Sequence, residues 1–314
     1  MTAAMVADLN CFSAGIFATR FSTAMSAPRH ISRTWIKTGS GMKLAFSTNA
    51  FKKTSLEDAV DSIAAVGYGG VEIMADVPHA YPPHMPDARI AELGRRLQSL
   101  KLRISNINAF TFFAIGDTLH PSWIENDPAL REKRISHTEN CIRMAAALGA
   151  KTISLEPGGP LDGMPREQAL TLYQDGLMRV LPLAQQCNIT LLVEPEPGLM
   201  IQTTDQCVEF LQRVNHPNLR MNCDLGHLFC VGENPAESFV MCHQWVSHVH
   251  LEDIAGSRVH QHLIPGRGAM DWASIFAAIK QVQYKGWSTV ELYPYETTAR
   301  QAAEESLAFL QQFM

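Results

Sequence analysis

The feature that most restricts the fold is an alternation. From Met42 onward, short runs of β-forming residues alternate with longer segments of helical period, eight times over. The strand candidates are Lys43–Ser47, Gly70–Met74, Leu102–Asn106, Thr152–Leu155, Thr190–Glu194, Leu219–Cys223, Val246–Leu251 and Ser288–Leu292. The helix candidates are Ser55–Val66, Pro86–Leu100, Asp127–Leu148, Arg166–Cys187, Thr204–Val214, Pro235–His243, Trp272–Val282 and Ala299–Phe313, with Gly67 and Gly149 as C-caps. Repeated βα units imply a parallel sheet covered by helices. Eight units over residues 42–314, about 34 residues each, match a closed (β/α)8 barrel. An open doubly wound sheet usually carries a G-x-G-x-x-G turn after its first strand. Here that strand runs into Thr48-Asn49-Ala50-Phe51, which contains no glycine.

In such a barrel the chemistry sits at the C-terminal ends of the strands. The last four candidate strands each stop at an ionisable residue: Glu194, Asp224, His250 and Glu291. Their spacings of 30, 26 and 41 residues are about one βα unit each, so adjacent strands aim them at one point. Three carboxylates and one imidazole make a hard, oxygen-rich set suited to one divalent ion: Mn2+, Mg2+, Co2+ or Zn2+. A lone carboxylate after a strand is usually a helix cap or a surface charge. Four in register, buried without a cation, would carry a prohibitive desolvation cost. His248 shares a strand face with His250, because strand side chains repeat with period two, and reads as a satisfied core residue or as one that supports the metal ligands.

Residues 1–41 look foreign to this pattern. They hold four basic residues and one acid, and leave 22 bases against 30 acids in the remainder. An acid-poor, Arg- and Ser-containing leader suits either a transit peptide or an upstream extension; Met42 opens directly into a strand, which favours the extension. The whole chain has a formal charge of −5, which argues against a broad grip on nucleic acid. No apolar run reaches the roughly 18 residues that span a membrane. Seven cysteines without C-x-x-C spacing read as free thiols of a reducing compartment, hence a cytoplasmic protein.

The elements E-P-E-P-G, D-L-G-H, H-x-H-L-E-D, H-L-I-P-G-R-G-x-x-D-W and V-E-L occur in order from residue 194 to residue 292. Together they resemble the xylose-isomerase-like TIM-barrel superfamily, and the likeness covers nearly all of residues 42–314. That group includes sugar isomerases and epimerases, inosose dehydratase and the endonuclease IV nucleases. The resemblance implies a single catalytic metal held by Glu194, Asp224, His250 and Glu291. It also implies that Glu194 and Glu291 move the proton, that His227 touches substrate, and that a homo-oligomer is plausible. The nuclease pattern is incomplete: Glu156 stands where a His precedes Pro157-Gly158, His260 replaces an Asp, and no His lies near Asn106 or Asn108.

The expected activity is therefore isomerisation or epimerisation of a keto-sugar, free or phosphorylated, or of a polyol ketone, through an ene-diolate. If the second carboxylate protonates a departing hydroxyl instead, the same site is a dehydratase. A metal-dependent nuclease and a binding protein with a degenerate site are the remaining alternatives. Further candidate substrate contacts are Glu72, Glu156, Glu196, His262 and Arg267. Each has a bland counterpart: an ion pair for Glu72 and Glu156, a loop charge for Glu196 and Arg267. Phe110, Phe112 and Phe113 are candidates for an apolar wall or for plain core.

Overall fold

The computed structural model describes residues 42–314, so the expectations for residues 1–41 lie outside the described residues. Eight parallel strands close in sequence order: β1 (Lys43–Ser47), β2 (Gly70–Met74), β3 (Arg103–Asn108), β4 (Thr152–Leu155), β5 (Thr190–Val193), β6 (Leu219–Asp224), β7 (Val246–Leu251) and β8 (Trp287–Val290), with β8 pairing back onto β1. The helices are α1 (Leu56–Val66), α2 (Asp87–Leu100), α3 (Pro128–Leu148), α4 (Arg166–Gln186), α5 (Thr204–Val214), α6 (Leu225–Cys230), α7 (Pro235–Cys242), α8 (Trp272–Gln281) and α9 (Ala299–Leu310). The predicted (β/α)8 barrel is therefore the observed one. The difference in kind is α6, whose 6 residues are too few to show a helical period.

Local chemistry explains the helix ends. The Ser55 hydroxyl accepts the Asp58 N–H at 3.1 Å, and Asp127 caps α3 through the Ala129 N–H at 2.8 Å. Gly67 and Gly149 end α1 and α3 at φ 114° and 76°, in the left-handed region open to glycine. The cap of α5 is Thr203, one residue before the predicted start.

The barrel wall is apolar outside and polar inside. Ile73, Ile107, Ile153, Leu191 and Val249 are fully buried, and so are Ile63, Ile142, Leu177 and Ile279 on the surrounding helices. The alternate strand positions carry Glu72, Asn106, Ser154, Asn222, His248 and Thr289, all 0% exposed. These form a ladder along the barrel interior. His248 Nδ1–H donates to Asn222 Oδ1 at 2.8 Å, and its Nε2 lies 2.8 Å from Thr289 Oγ1. Thr289 in turn meets Ser105 Oγ at 3.0 Å. Burial lowers the His248 pKa to about 3, so the ring is neutral, as the core reading requires.

Two register shifts set which residues face inward. Between β2 and β3 the pairing jumps from Val71↔Ile104 to Glu72↔Asn106, leaving Ser105 out of step. Between β6 and β7 it jumps from Met221↔Val246 to Asn222↔His248. Each bulge re-aims the strand beyond it, so that Asn106 and Asn108, and His248 and His250, line the interior.

Candidate metal centre

Glu194, Asp224, His250 and Glu291 come together as their spacing predicts. They stand at the ends of β5 to β8, and one ligand-capable atom of each lies within 4.8 Å of the others. His250 Nδ1 is the hub, 2.8 Å from Glu194 Oε1, 3.5 Å from Asp224 Oδ2 and 3.7 Å from Glu291 Oε2. Asp224 and His250 are 0% exposed, whereas Glu194 and Glu291 keep 2% and 7%. The two glutamates thus form the open side of the cluster.

The oxygens are divided between support and cluster. Asp224 Oδ1 accepts the His227 N–H at 2.8 Å and so caps α6, while Oδ2 is buried with no hydrogen-bond partner. The cap and the candidate ligand are the same residue. Glu291 Oε1 accepts from Asn49 Nδ2 at 2.8 Å and Asn108 Nδ2 at 3.0 Å, which leaves Oε2 toward His250. Glu194 Oε2 is also buried without a partner. Orphaned buried carboxylate oxygens are costly, and a divalent cation is the group that would satisfy them together. The donor set thus fits such an ion.

Burial pushes the Glu194 and Glu291 carboxyls up, Glu291 strongly, with His250 opposing in both cases. Burial would lower the His250 pKa, but Glu72, Glu194 and Glu291 hold it well above the usual imidazole value. Burial alone would raise Asp224, yet His227 and His250 hold it well below the carboxylate range.

Beside the cluster lies a group of imidazoles. His227 Nδ1–H donates to the Pro195 carbonyl at 2.9 Å, and His262 Nδ1–H to the Glu291 carbonyl at 2.9 Å. Their Nε2 atoms then face each other at 3.3 Å, and His260 Nε2 is 3.2 Å from His262 Nε2. Glu196 closes this side, 3.2 Å from His260 Nδ1 and 3.3 Å from His227 Nδ1. Burial, reinforced by Glu194, Asp224 and Glu291, raises the Glu196 carboxyl well above its usual range. His227, His262 and Glu196 therefore stand next to the candidate metal ligands, where the sequence expects substrate.

Three other expected substrate contacts sit elsewhere. Glu72 is fully buried, with its oxygens against His250, Asn106 and Asn108 rather than open space. Arg267 is paired with Glu305 on α9, because its loop turns the side chain toward that helix. Glu156 is fully buried 3.3 Å from Arg134 Nε, on the flank formed by α3. The Arg134 guanidinium also donates to the carbonyls of Pro121 and Phe110 and stacks over Phe112, so it is held without an ionised Glu156. Phe112 itself is core, stacked 4.3 Å from the His137 ring.

Burial, opposed by Arg134, pushes Glu156 from 4.5 up to about 8. A folded-state pKa above the unfolded value gives stability that is complete at low pH and is lost as pH rises through the folded value. Glu156→Gln removes this titration. Its stability relative to wild type is expected to grow between about pH 5 and about pH 8.5, by on the order of a few kcal/mol. Urea unfolding at both ends of that range checks it; an offset that does not change with pH would refute it.

The sequence spacing missed four supporting residues. Asn49 and Asn108 hold Glu291, Asn106 holds Glu72, and Glu252 packs beneath Asp224 and His262. Glu252 Oε1 accepts the Gly226 N–H at 2.5 Å, and a Cβ on Gly226 would overlap that oxygen. This explains the glycine in D-L-G-H. Gly226→Ala is expected to cost about 1–3 kcal/mol by overpacking and to lower metal content by moving Asp224. Thermal unfolding and elemental analysis read both effects; a variant with normal metal and an unchanged midpoint would contradict the close packing. Asp253, also 1% exposed, accepts from the N–H groups of Gly266 and Met270 and from Trp272 Nε1 at 2.8–3.1 Å. It fastens the loop that carries His260 and His262.

Comparison with known proteins agrees with this fold. The curated inosose dehydratase of Clostridium beijerinckii (strain ATCC 51743 / NCIMB 8052) is 23% identical over 295 residues, covering 82% of this chain and 92% of that protein. The 3-dehydroshikimate dehydratase of Bacillus anthracis is 27% identical over 218 residues, covering 69% and 73%. Among solved structures, the IOLI protein with a bound zinc atom superposes with a TM-score of 0.73 at 19% identity, over 87% of this chain and 99% of that one. The profile of the xylose isomerase-like TIM barrel family matches residues 60–313, most of the chain. The protein belongs to the xylose isomerase-like TIM-barrel family.

Proposed function

We propose that this protein is a divalent-metal-dependent enzyme that isomerises or epimerises a small polyhydroxy ketone by proton transfer between Glu194 and Glu291. The observation that carries this reading is the division within the cluster. Asp224 and His250 are sealed, and the two glutamates alone of the four keep exposure, 2% and 7%. A bound divalent ion would supply Lewis-acid polarisation of a carbonyl and stabilise the charge that develops on it. Glu194, Asp224, His250 and Glu291 would hold it. The chain's own groups do the rest. One glutamate takes the proton from the carbon beside the carbonyl, and the other returns one to a neighbouring position or the opposite face. His227, His262 and Glu196 lie where they can orient hydroxyls.

Dehydration is the second reading. It is favoured by the two curated relatives, which are named as dehydratases. The zinc atom in the IOLI structure supports a metal in this chain as well. Incubating the metal-loaded protein with keto-hexoses and inososes in D2O tests both readings. Deuterium at carbon with no loss of water supports the first. Loss of water with a new ultraviolet-absorbing enone supports the second. The absence of both carbon deuteration and water loss with all of these ketones would overturn the proposal.

A further inference from the structure

His250 offers Nδ1 to the metal cluster, and its other ring nitrogen faces a carboxylate that stands outside that cluster. His250 Nε2 lies 2.8 Å from Glu72 Oε2. Glu72 comes from β2, 178 positions away along the chain and three strands round the barrel from β7. It is 0% exposed, and its oxygens are taken up by His250, Asn106 and Asn108. The same Oε2 accepts Asn106 Nδ2 at 2.9 Å, and Asn106 Nδ2 is also 2.9 Å from Ser154 Oγ. The other oxygen, Oε1, lies 3.4 Å from Asn108 Nδ2, the amide that also supports Glu291 at 3.0 Å. Glu72 thus sits behind two of the four candidate ligands.

A metal-bound histidine must leave its ligating nitrogen unprotonated, and its other N–H needs an acceptor that fixes tautomer and ring orientation. An ionised carboxylate only accepts, so it selects the Nε2–H tautomer and frees Nδ1. We infer that Glu72 is a positioning residue for the metal centre: it holds His250 in the tautomer and orientation that present Nδ1 to the ion and, through Asn108, steadies Glu291. This rests on the metal site of the proposed function but not on the reaction assigned to it.

Zn2+ alone is the probe. Its dissociation constant is measured by competition with a chelating dye for wild type, Glu72→Ala, Glu72→Gln and Asp224→Ala. Histidine 15N spectra of the Zn2+-loaded proteins report tautomers. Wild type is expected to show one ring bound through Nδ1 with its Nε2–H retained. Glu72→Ala is expected to bind Zn2+ about 10–100-fold more weakly and to lose that signature. In Glu72→Gln the amide oxygen keeps the acceptor. Most of the affinity then returns, while the Nε2–H proton resonance, held downfield by the carboxylate, moves upfield. Should Glu72→Ala fail to fold, this shift in Glu72→Gln carries the test. The inference is overturned if Glu72→Ala binds as wild type does, or if the Nε2–H resonance of Glu72→Gln does not move. If Asp224→Ala binds Zn2+ as tightly as wild type, the metal reading itself falls. Tight binding without turnover of any ketone would fault only the proposed reaction.

Discussion

Asp224→Ala is expected to take the purified protein from about one divalent ion per chain to none, and to abolish turnover with it. Asp224 is 0% exposed, and its Oδ2 is a buried acceptor with no hydrogen-bond partner, so the ion loses a ligand that no water can replace cheaply. The same residue caps α6 through Oδ1, so alanine also removes a helix cap worth about 0.5–2 kcal/mol. Asp224→Asn separates the two roles. Its side-chain oxygen still caps, but the charge that draws a divalent ion is gone. A bound ligand at a thousand times its Kd stabilises the folded state by about 4 kcal/mol. Chelator should therefore lower the wild-type Tm by several degrees and leave both variants unmoved. Elemental analysis of the three proteins, beside melts with and without chelator, decides the matter. Equal metal in wild type and Asp224→Ala would remove the basis of the site.

Glu194→Gln and Glu291→Gln are each expected to lower kcat by on the order of 10²–10⁴, the usual worth of a general acid or base. Both substitutions keep shape and an oxygen donor and leave the sealed Asp224 and His250 in place. The variants are therefore assayed at saturating metal, where loss of proton transfer is read apart from weaker metal binding. Glu291 is braced by Asn49 and Asn108, and Glu194 faces His250, so neither amide has far to move. The isotope experiment then assigns the roles. A variant that still exchanges the substrate's own hydrogen with D2O, yet forms no product, has lost the group that returns the proton. A variant that exchanges nothing has lost the group that removes it. Near-normal turnover in both, with metal present, would end the two-carboxylate mechanism.

Much of this was legible in the chain. The barrel follows from alternation and count, which are local properties: β-forming runs, helical periods, and glycines at 67 and 149. The gathering of Glu194, Asp224, His250 and Glu291 was legible for the same reason. A strand of fixed rise ends where its apolar run ends, so an ionisable residue there must lie at the rim. His248 followed from period two. The helix α6 was not legible, because one and a half turns leave no period to read.

The supporting shell was decided by tertiary structure, and the reason is register. Glu72, Asn106 and Asn108 sit in strands whose sequence gives no sign of a bulge, yet the shift at Ser105 determines that both asparagines face inward. Read from sequence, Glu72 ends a strand as Glu194 does. Closure of the sheet instead brings it against His250, 178 residues away, and buries it from any substrate. Glu156 diverged for a similar reason: helix α3 carries Arg134 to it, and no spacing rule couples the two. Arg267 depended on where α9 packs. Sequence alone determined that Glu194, Asp224, His250 and Glu291 stand at the ends of consecutive strands, because that depends on position along a strand. Which residues gather in the candidate metal cluster, which brace it and which turn away depended on contacts across the barrel, where distance along the chain carries no information.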